Sequence, residues 1–220
     1  MAVSGKERKT LLEHMEELRS RLIVVIGVFA VFSVLGFLFS GDVLSVIKRD
    51  ITGNSGVELI VTHPLDLFCM KINIGIFIGI LACIPVLLYQ AYSFIKPGLT
   101  KKETRTVKIG MVSSLLLFIA GVVFSYSVLL RVMVWFFVGM ATSSGVSNLW
   151  NINYFISFLF LTSFVMGIVF QLPVITWVLL KLELVDIEVL RRNRGNVVIL
   201  IFIISAIITP PDPVTQIMVA

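Results

Sequence analysis

Four stretches of this chain run for 19 residues or more without one Asp, Glu, Lys, Arg or His: 22–40, 72–95, 109–130 and 154–180. A helix needs about 20 apolar residues to cross a hydrocarbon layer of about 30 Å, and inside that layer its backbone groups must pair with one another. Runs of this length predict membrane-spanning helices rather than a buried soluble core. Composition agrees: 58% of the 220 residues are hydrophobic and 14% are charged, against about 25% charged in a soluble domain.

A fifth run, 197–208, has only 12 residues. As a helix it would cover about 18 Å, so it needs local bilayer thinning or neighbouring protein to span. It stops at Thr209-Pro210-Pro211-Asp212-Pro213. The expected architecture is an all-α polytopic membrane protein, one transmembrane domain over 1–220, with five visible spans (22–40, 72–95, 109–130, 154–180 and 197–208).

The basic residues set the orientation. Segment 1–21 carries five Lys and Arg, loop 96–108 carries five and loop 181–196 carries four, whereas the remaining connections hold only Lys48, Arg49, Lys71 and Arg131. Lys and Arg concentrate on the cytoplasmic side, so the N-terminus and the loops 96–108 and 181–196 are predicted cytoplasmic. Segments 41–70 and 131–153 are predicted to be far-side loops, the second anchored by Trp135 and Trp150 at the interface. The net charge of +5 is thereby read as topology rather than as a nucleic-acid footprint. The first apolar run lacks a small-x-small cleavage site and is not read as a signal peptide.

Within this frame, residues 8–22 predict a short amphipathic helix at the membrane surface that leads straight into the first span, with Leu11, Met15, Leu18 and Leu22 on one stripe. Pro173 lies inside the fourth span and predicts a bend, because it removes a backbone hydrogen bond to the preceding turn. Cys69 and Cys83 are fourteen residues apart near one helix, about 21 Å along its axis. They read as packing residues rather than a bridge.

Catalytic signatures are scarce. The two histidines, His14 and His63, are placed on opposite sides of the membrane, and the predicted spans hold no Asp, Glu, Lys, Arg or His. That argues against an enzyme and against a proton- or ion-coupled carrier. No metal-ligand spacing and no cofactor motif is present. Gln171, two residues before Pro173, is the polar side chain that stands out at depth. It has two readings: it satisfies a carbonyl freed by the proline, or it hydrogen-bonds a partner membrane helix. Together with Pro173 it could also mark the substrate site of a secondary transporter of small solutes, the alternative function. On the cytoplasmic side the acids Glu13, Glu16, Glu17 and Glu103 read either as solvated, ion-paired residues or as a patch for a cationic peptide, since guanidinium and carboxylate pair through two parallel hydrogen bonds.

Four stretches carry a resemblance: HMEELRSRL (14–22), IPVLLYQAYSFIKPGLTKKETR (84–105), FQLPV (170–174) and ITPPDPVTQ (208–216). In this order they resemble the TatC family, the multispanning core subunit of the twin-arginine protein translocase. The resemblance implies a subunit that recognises twin-arginine signal peptides and nucleates the complex that exports folded proteins. It implies signal-peptide contacts by Glu17, Arg19 and Glu103, contact with single-span TatA/TatB-type subunits at Gln171, where relatives often carry Glu, and a functional far-side acid at Asp212. It further implies a multi-copy complex in membrane lipid, a place in the bacterial cytoplasmic (inner) membrane, and no nucleic acid or cofactor. The family has six spans with both ends cytoplasmic, so a sixth span is expected to be missing or truncated here.

Overall fold

The computed structural model describes the backbone of residues 4–53 and 55–185 and of isolated positions beyond (188, 195, 198, 199, 202, 203, 205, 216 and 217). Side chains are described from Met15 onward, apart from Lys102. Most of the predicted fifth span, most of loop 181–196 and Asp212 lie outside the described residues.

Among the described residues the chain is almost wholly helical, with four helical stretches long and apolar enough to cross a membrane: Met15–Leu38, Asp66–Gly98, Glu103–Ser143 and Ile152–Lys181. The first belongs to α1 (Ser4–Leu38). The segment 8–22 is therefore the opening of one continuous 35-residue helix, not a separate surface helix. Its expected apolar stripe is exposed at Met15, Leu18 and Leu22.

α2 (Ser40–Ile47) and a wide π turn over Lys48–Thr52 follow, then β1 (Glu58–Ile60). α3 (Asp66–Ile95) begins with an acid in its first turn and continues through Pro85. A 3-10 turn over Lys96–Gly98 leads to α4 (Lys101–Phe124), a second π turn over Ser125–Leu129, and α5 (Leu130–Ser143). From Glu103 to Ser143 this rod runs 41 residues, about 62 Å and twice a hydrocarbon thickness. The predicted loop over 131–153 is thus corrected: its first thirteen residues are helix, because 132–141 is apolar and carries no strong breaker. The second departure from an all-helical chain is β2 (Leu149–Asn151), which pairs in parallel with β1, Glu58 opposite Leu149 and Ile60 opposite Asn151.

The predicted fourth span is two helices. α6 (Ile152–Val169) ends in a turn at Phe170 and Gln171, and α7 (Leu172–Lys181) opens with Pro173 in its first turn. The break that Pro173 predicts is there.

Helix packing follows the small residues. α1 and α3 are antiparallel: Arg21 meets Gln90 near one end and Gly36 meets Gly75 near the other. A Cβ added at Gly75 would stand 2.6 Å from the Ser33 carbonyl oxygen and 3.1 Å from the Phe37 amide, so the two backbones touch as small residues permit in lipid. α4 runs antiparallel to the α6–α7 pair, with Gly167 against the Phe118 ring and Gly121 against the Met166 carbonyl. α3 and α6 run in parallel, joined by stacked Phe77 and Phe160 rings with centroids 4.1 Å apart. Met70, Ile74, Leu129, Met133, Ile156 and Leu159 form the centre of the core, toward the end of the bundle that carries β1 and β2. Cys83 is buried, Cys69 half-buried, and both are free thiols.

Candidate functional site

The end of the bundle that carries loop 96–108 holds the expected acids. On α1, Glu17 and Arg21 are one turn apart, and Arg21 Nε donates to Glu17 Oε1 at 3.1 Å. A second Arg21 N–H goes to the same oxygen. The third direction of the guanidinium reaches across to α3, where Gln90 Oε1 accepts at 3.1 Å. Beside this bridge lies a cavity of about 210 Å³ with an apolar wall, formed by Leu18 and Leu22 of α1 and by Leu87, Phe94 and Ile95 of α3.

α3 leads from Gln90 through the turn 96–98 to Glu103 in the first turn of α4, ahead of the uncharged run that starts at Ile109. The sequence Thr100-Lys101-Lys102-Glu103 forms a capping box. Glu103 Oε2 accepts from the Thr100 amide at 2.8 Å, and Thr100 Oγ1 accepts from the Glu103 amide at 3.4 Å. Such a box satisfies two helix-start amides at once. The Thr100 backbone amide, then the contact with its side chain, holds the Glu103 carboxyl below the usual carboxylate range. Glu103 is thus an anion fixed in place at a helix N-terminus, where negative charge is favoured. Its Oε1 accepts no hydrogen bond among the described residues.

Glu17 and Glu103 share one end of the bundle but no hydrogen bond or ion pair joins them. Arg19 is exposed on α1 and pairs with no described residue. The side chains of Glu13 and His14 lie outside the described residues, as does Asp212.

Gln171 sits at the α6–α7 break and bonds through both ends of its amide. Its Nε2 donates to the Ser114 carbonyl of α4 at 3.0 Å and to the Gly167 carbonyl at 3.3 Å, and its Oε1 accepts from the Ser114 hydroxyl. The Gly167 carbonyl needs this partner because the Gln171 amide has turned to Ile168 O instead, at 2.9 Å. The carbonyl that Gln171 satisfies is thus the one its own amide leaves at Gly167, not the Val169 carbonyl that Pro173 leaves, and the neighbouring helix it reaches is α4.

Two polar clusters escaped the sequence reading. Asn73 of α3 donates to Asn153 Oδ1 at 3.0 Å and to Ser157 Oγ at 2.8 Å, both on α6. Near the opposite end of the bundle from Glu103, buried Asp66 accepts from the Thr62 amide at 3.0 Å, the His63 amide at 2.7 Å and Asn151 Nδ2 at 2.7 Å. Asn151 in turn caps α6, accepting from the Asn153 and Tyr154 amides. The His63 amide bond, with help from Asn151 and Thr62, holds the Asp66 carboxyl below its ordinary range against the opposing effect of burial. Asp66 and Asn151 are 85 positions apart, so only the fold brings them together. Arg21 and Gln90 are 69 positions apart, so their bridge too is made only by the fold.

The chain matches the family model described as Sec-independent protein translocase protein (TatC) over residues 13–220. It is 33% identical over 213 residues to a Sec-independent protein translocase protein TatC of Azotobacter chroococcum, covering 96% of this chain and 83% of that one. It is 33% identical over 215 residues to TatCy of Bacillus subtilis, covering 96% and 82%. It is 34% identical over 214 residues to the chloroplastic TATC of Pisum sativum, of which it spans 60%. A crystal structure described as the twin arginine translocase receptor TatC superposes with a TM-score of 0.81 at 31% identity, covering 94% of this chain and 91% of that one. The fold, the length of the match and the level of identity all lead to one conclusion: this multi-pass membrane chain belongs to the TatC family of Sec-independent protein translocase proteins.

Proposed function

We propose that this chain is the signal-peptide receptor of a twin-arginine translocase in the bacterial cytoplasmic membrane, with its N-terminus and loop 96–108 in the cytoplasm. The observation that carries the reading is Glu103. It is an ionised carboxylate held by a capping box, with Oε1 accepting nothing among the described residues. A guanidinium arriving from outside finds a positioned acceptor, and such charge-assisted pairs are about twice as strong as neutral ones. Glu17 supplies the second carboxylate at the same end of the bundle, aimed by Arg21. Arg19 is the third contact. The apolar cavity between Leu18, Leu22, Phe94 and Ile95 suits the apolar part of a signal peptide entering beside the arginine pair.

Gln171 is the proposed contact for single-span partner subunits, and Asp212 the proposed far-side acid. A partner reaching Gln171 meets an amide already bonded to α4, so its polar group must use the remaining acceptor capacity of Oε1 or displace Ser114. Several copies of the chain, partner subunits and lipid make up the proposed complex.

The test is a photo-reactive residue at position 101, exposed and two residues before Glu103, in membranes supplied with a twin-arginine signal peptide. Cross-linking is expected, and Glu17→Ala is expected to reduce it while leaving membrane insertion intact. A signal peptide with two lysines in place of the arginines should cross-link weakly, since Lys lacks the planar fork. Equal yields from both peptides, or no effect of Glu17→Ala, would overturn the assignment.

A further inference from the structure

At the end of the bundle opposite loop 96–108, the π turn after α2 faces the start of α5 across a cavity of about 380 Å³. Its polar lining is Arg49, Asp50, Ser55 and Arg131, and its apolar lining includes Val134 and Trp135. The chain has only four Lys and Arg in the connections on this side, and two of them converge here. Arg49 Nε donates to Asp50 at 3.3 Å, and the Tyr126 hydroxyl donates to the other Asp50 oxygen at 3.5 Å. Arg131 has no hydrogen bond or ion pair with any described residue. The Asp50 carboxylate is thus engaged, and two guanidiniums leave the cavity with a net positive charge.

The depth of the cavity identifies what would meet it. Arg131 is 22 residues beyond Ile109, where the uncharged run begins. At 1.5 Å per residue that is about 33 Å, one hydrocarbon thickness, so Arg131 stands at the headgroup level of the opposite leaflet. Trp135, one turn further on, leaves 76% of its surface exposed, as a side chain with an apolar body and one N–H donor does at a membrane interface.

We propose that this cavity binds the headgroup of an anionic phospholipid whose phosphodiester lies between Arg49 and Arg131. The planar fork of a guanidinium matches phosphate oxygens, and basic pockets between membrane helices are suited to such headgroups. Asp50 and Ser55 add a preference: they hydrogen-bond headgroup hydroxyls, while Asp50 repels a headgroup that carries a carboxylate. The ligand is therefore a polyol phospholipid of the phosphatidylglycerol kind rather than phosphatidylserine. Trp135 packs on its glycerol backbone.

The test uses the full chain with Trp150→Phe and Trp177→Phe, so that fluorescence reports Trp135, reconstituted in phosphatidylcholine vesicles containing a brominated test lipid. Brominated phosphatidylglycerol is expected to quench at a lower mole fraction than brominated phosphatidylcholine, with brominated phosphatidylserine between them. Each of Arg49→Gln and Arg131→Gln should weaken that preference about fivefold, and Arg131→Lys should weaken it less. Circular dichroism and a monodisperse elution profile verify folding of each variant, and the Lys variant preserves the charge if Gln does not fold. Equal quenching by the charged and neutral lipids overturns the proposal. So does an unchanged preference in the Arg131 variants. Loss of the preference on adding inorganic phosphate, in sulfate-matched buffer, assigns the cavity to free phosphate and overturns the lipid assignment.

Discussion

Arg21 donates to Gln90 Oε1 at 3.1 Å while holding Glu17 one turn back on its own helix, so the carboxylate proposed for signal binding is aimed by a bridge between α1 and α3. Arg21→Met keeps most of the stem but removes both contacts. The Glu17 side chain is 39% exposed, which screens its part of the bridge, so the expected loss is about 1 kcal/mol. It should appear as a lower thermal midpoint in detergent. Cross-linking of a signal peptide from position 20, one turn from Glu17, should fall more than cross-linking from position 101, beside Glu103. Equal falls at both positions would mean that Arg21 supports the whole bundle rather than Glu17.

The α4 contact of Gln171 makes a second prediction. Gln171→Leu loses the bonds to Ser114 and Gly167 together, and interhelical hydrogen bonds in membranes are worth roughly 0.6–2 kcal/mol. Ser114→Ala removes only the hydroxyl, because its carbonyl still accepts from Gln171 Nε2. The Leu variant should therefore melt lower than the Ala variant, and the double variant should lose less than the sum of the two single losses because they share one interaction. Strict additivity in the melting data would show that the two residues act separately.

The same residue shows how far sequence reasoning reached. The four long helical stretches were legible because uncharged runs of this length have few other fates, and the break at Phe170–Gln171 followed from Pro173. What Gln171 bonds to was not legible, because Ser114 is 57 positions away. Thr100-x-x-Glu103 was legible as a capping box, yet Glu103 was weighed only as a charge. The extent of α5 was missed because Arg131 and Trp135 read as an interface and therefore as the end of a helix. The helix continues past both, to Ser143. The Asp66–Asn151 and β1–β2 pairings join segments about 90 positions apart, and no local pattern announces them.

The glycine contact between α1 and α3 makes a third prediction. A Cβ at Gly75 would meet the Ser33 carbonyl and the Phe37 amide, both backbone, so neither can rotate aside. Gly75→Ala must push the helices apart, with an expected cost of about 1–3 kcal/mol. Gly27, on the same α1, has nothing within 4 Å of an added Cβ, and Gly27→Ala should be neutral or stabilising by up to about 1 kcal/mol. Thermal midpoints of the two variants in one detergent separate the cases. A destabilised Gly27→Ala beside an unaffected Gly75→Ala would contradict the packing described for this helix pair.

Asp66 supplies a prediction in pH. Its carboxylate accepts from two backbone amides and from Asn151, and these bonds hold its folded-state pKa below the usual value. A depressed carboxylate contributes stability that is fully present above the unfolded pKa of about 3.9 and is lost as pH falls through the lower folded value. Hydrogen exchange of the β1 and β2 amides should therefore be equally slow, relative to the intrinsic rate, from neutral pH down to about pH 4, and should lose protection below it. Asp66→Asn removes the charge. It should lower protection at neutral pH and flatten the acid-induced change, because nothing remains at position 66 to titrate. His63 lies 3.9 Å from Asp66 through Nδ1 and is largely exposed, so His63→Gln separates the two groups. If protection in the unsubstituted chain is already lost above about pH 4 and His63→Gln abolishes that loss, the switch belongs to His63 rather than to Asp66. A loss confined to acid and absent from Asp66→Asn assigns it to the carboxylate that ties the β1 segment to the start of α6.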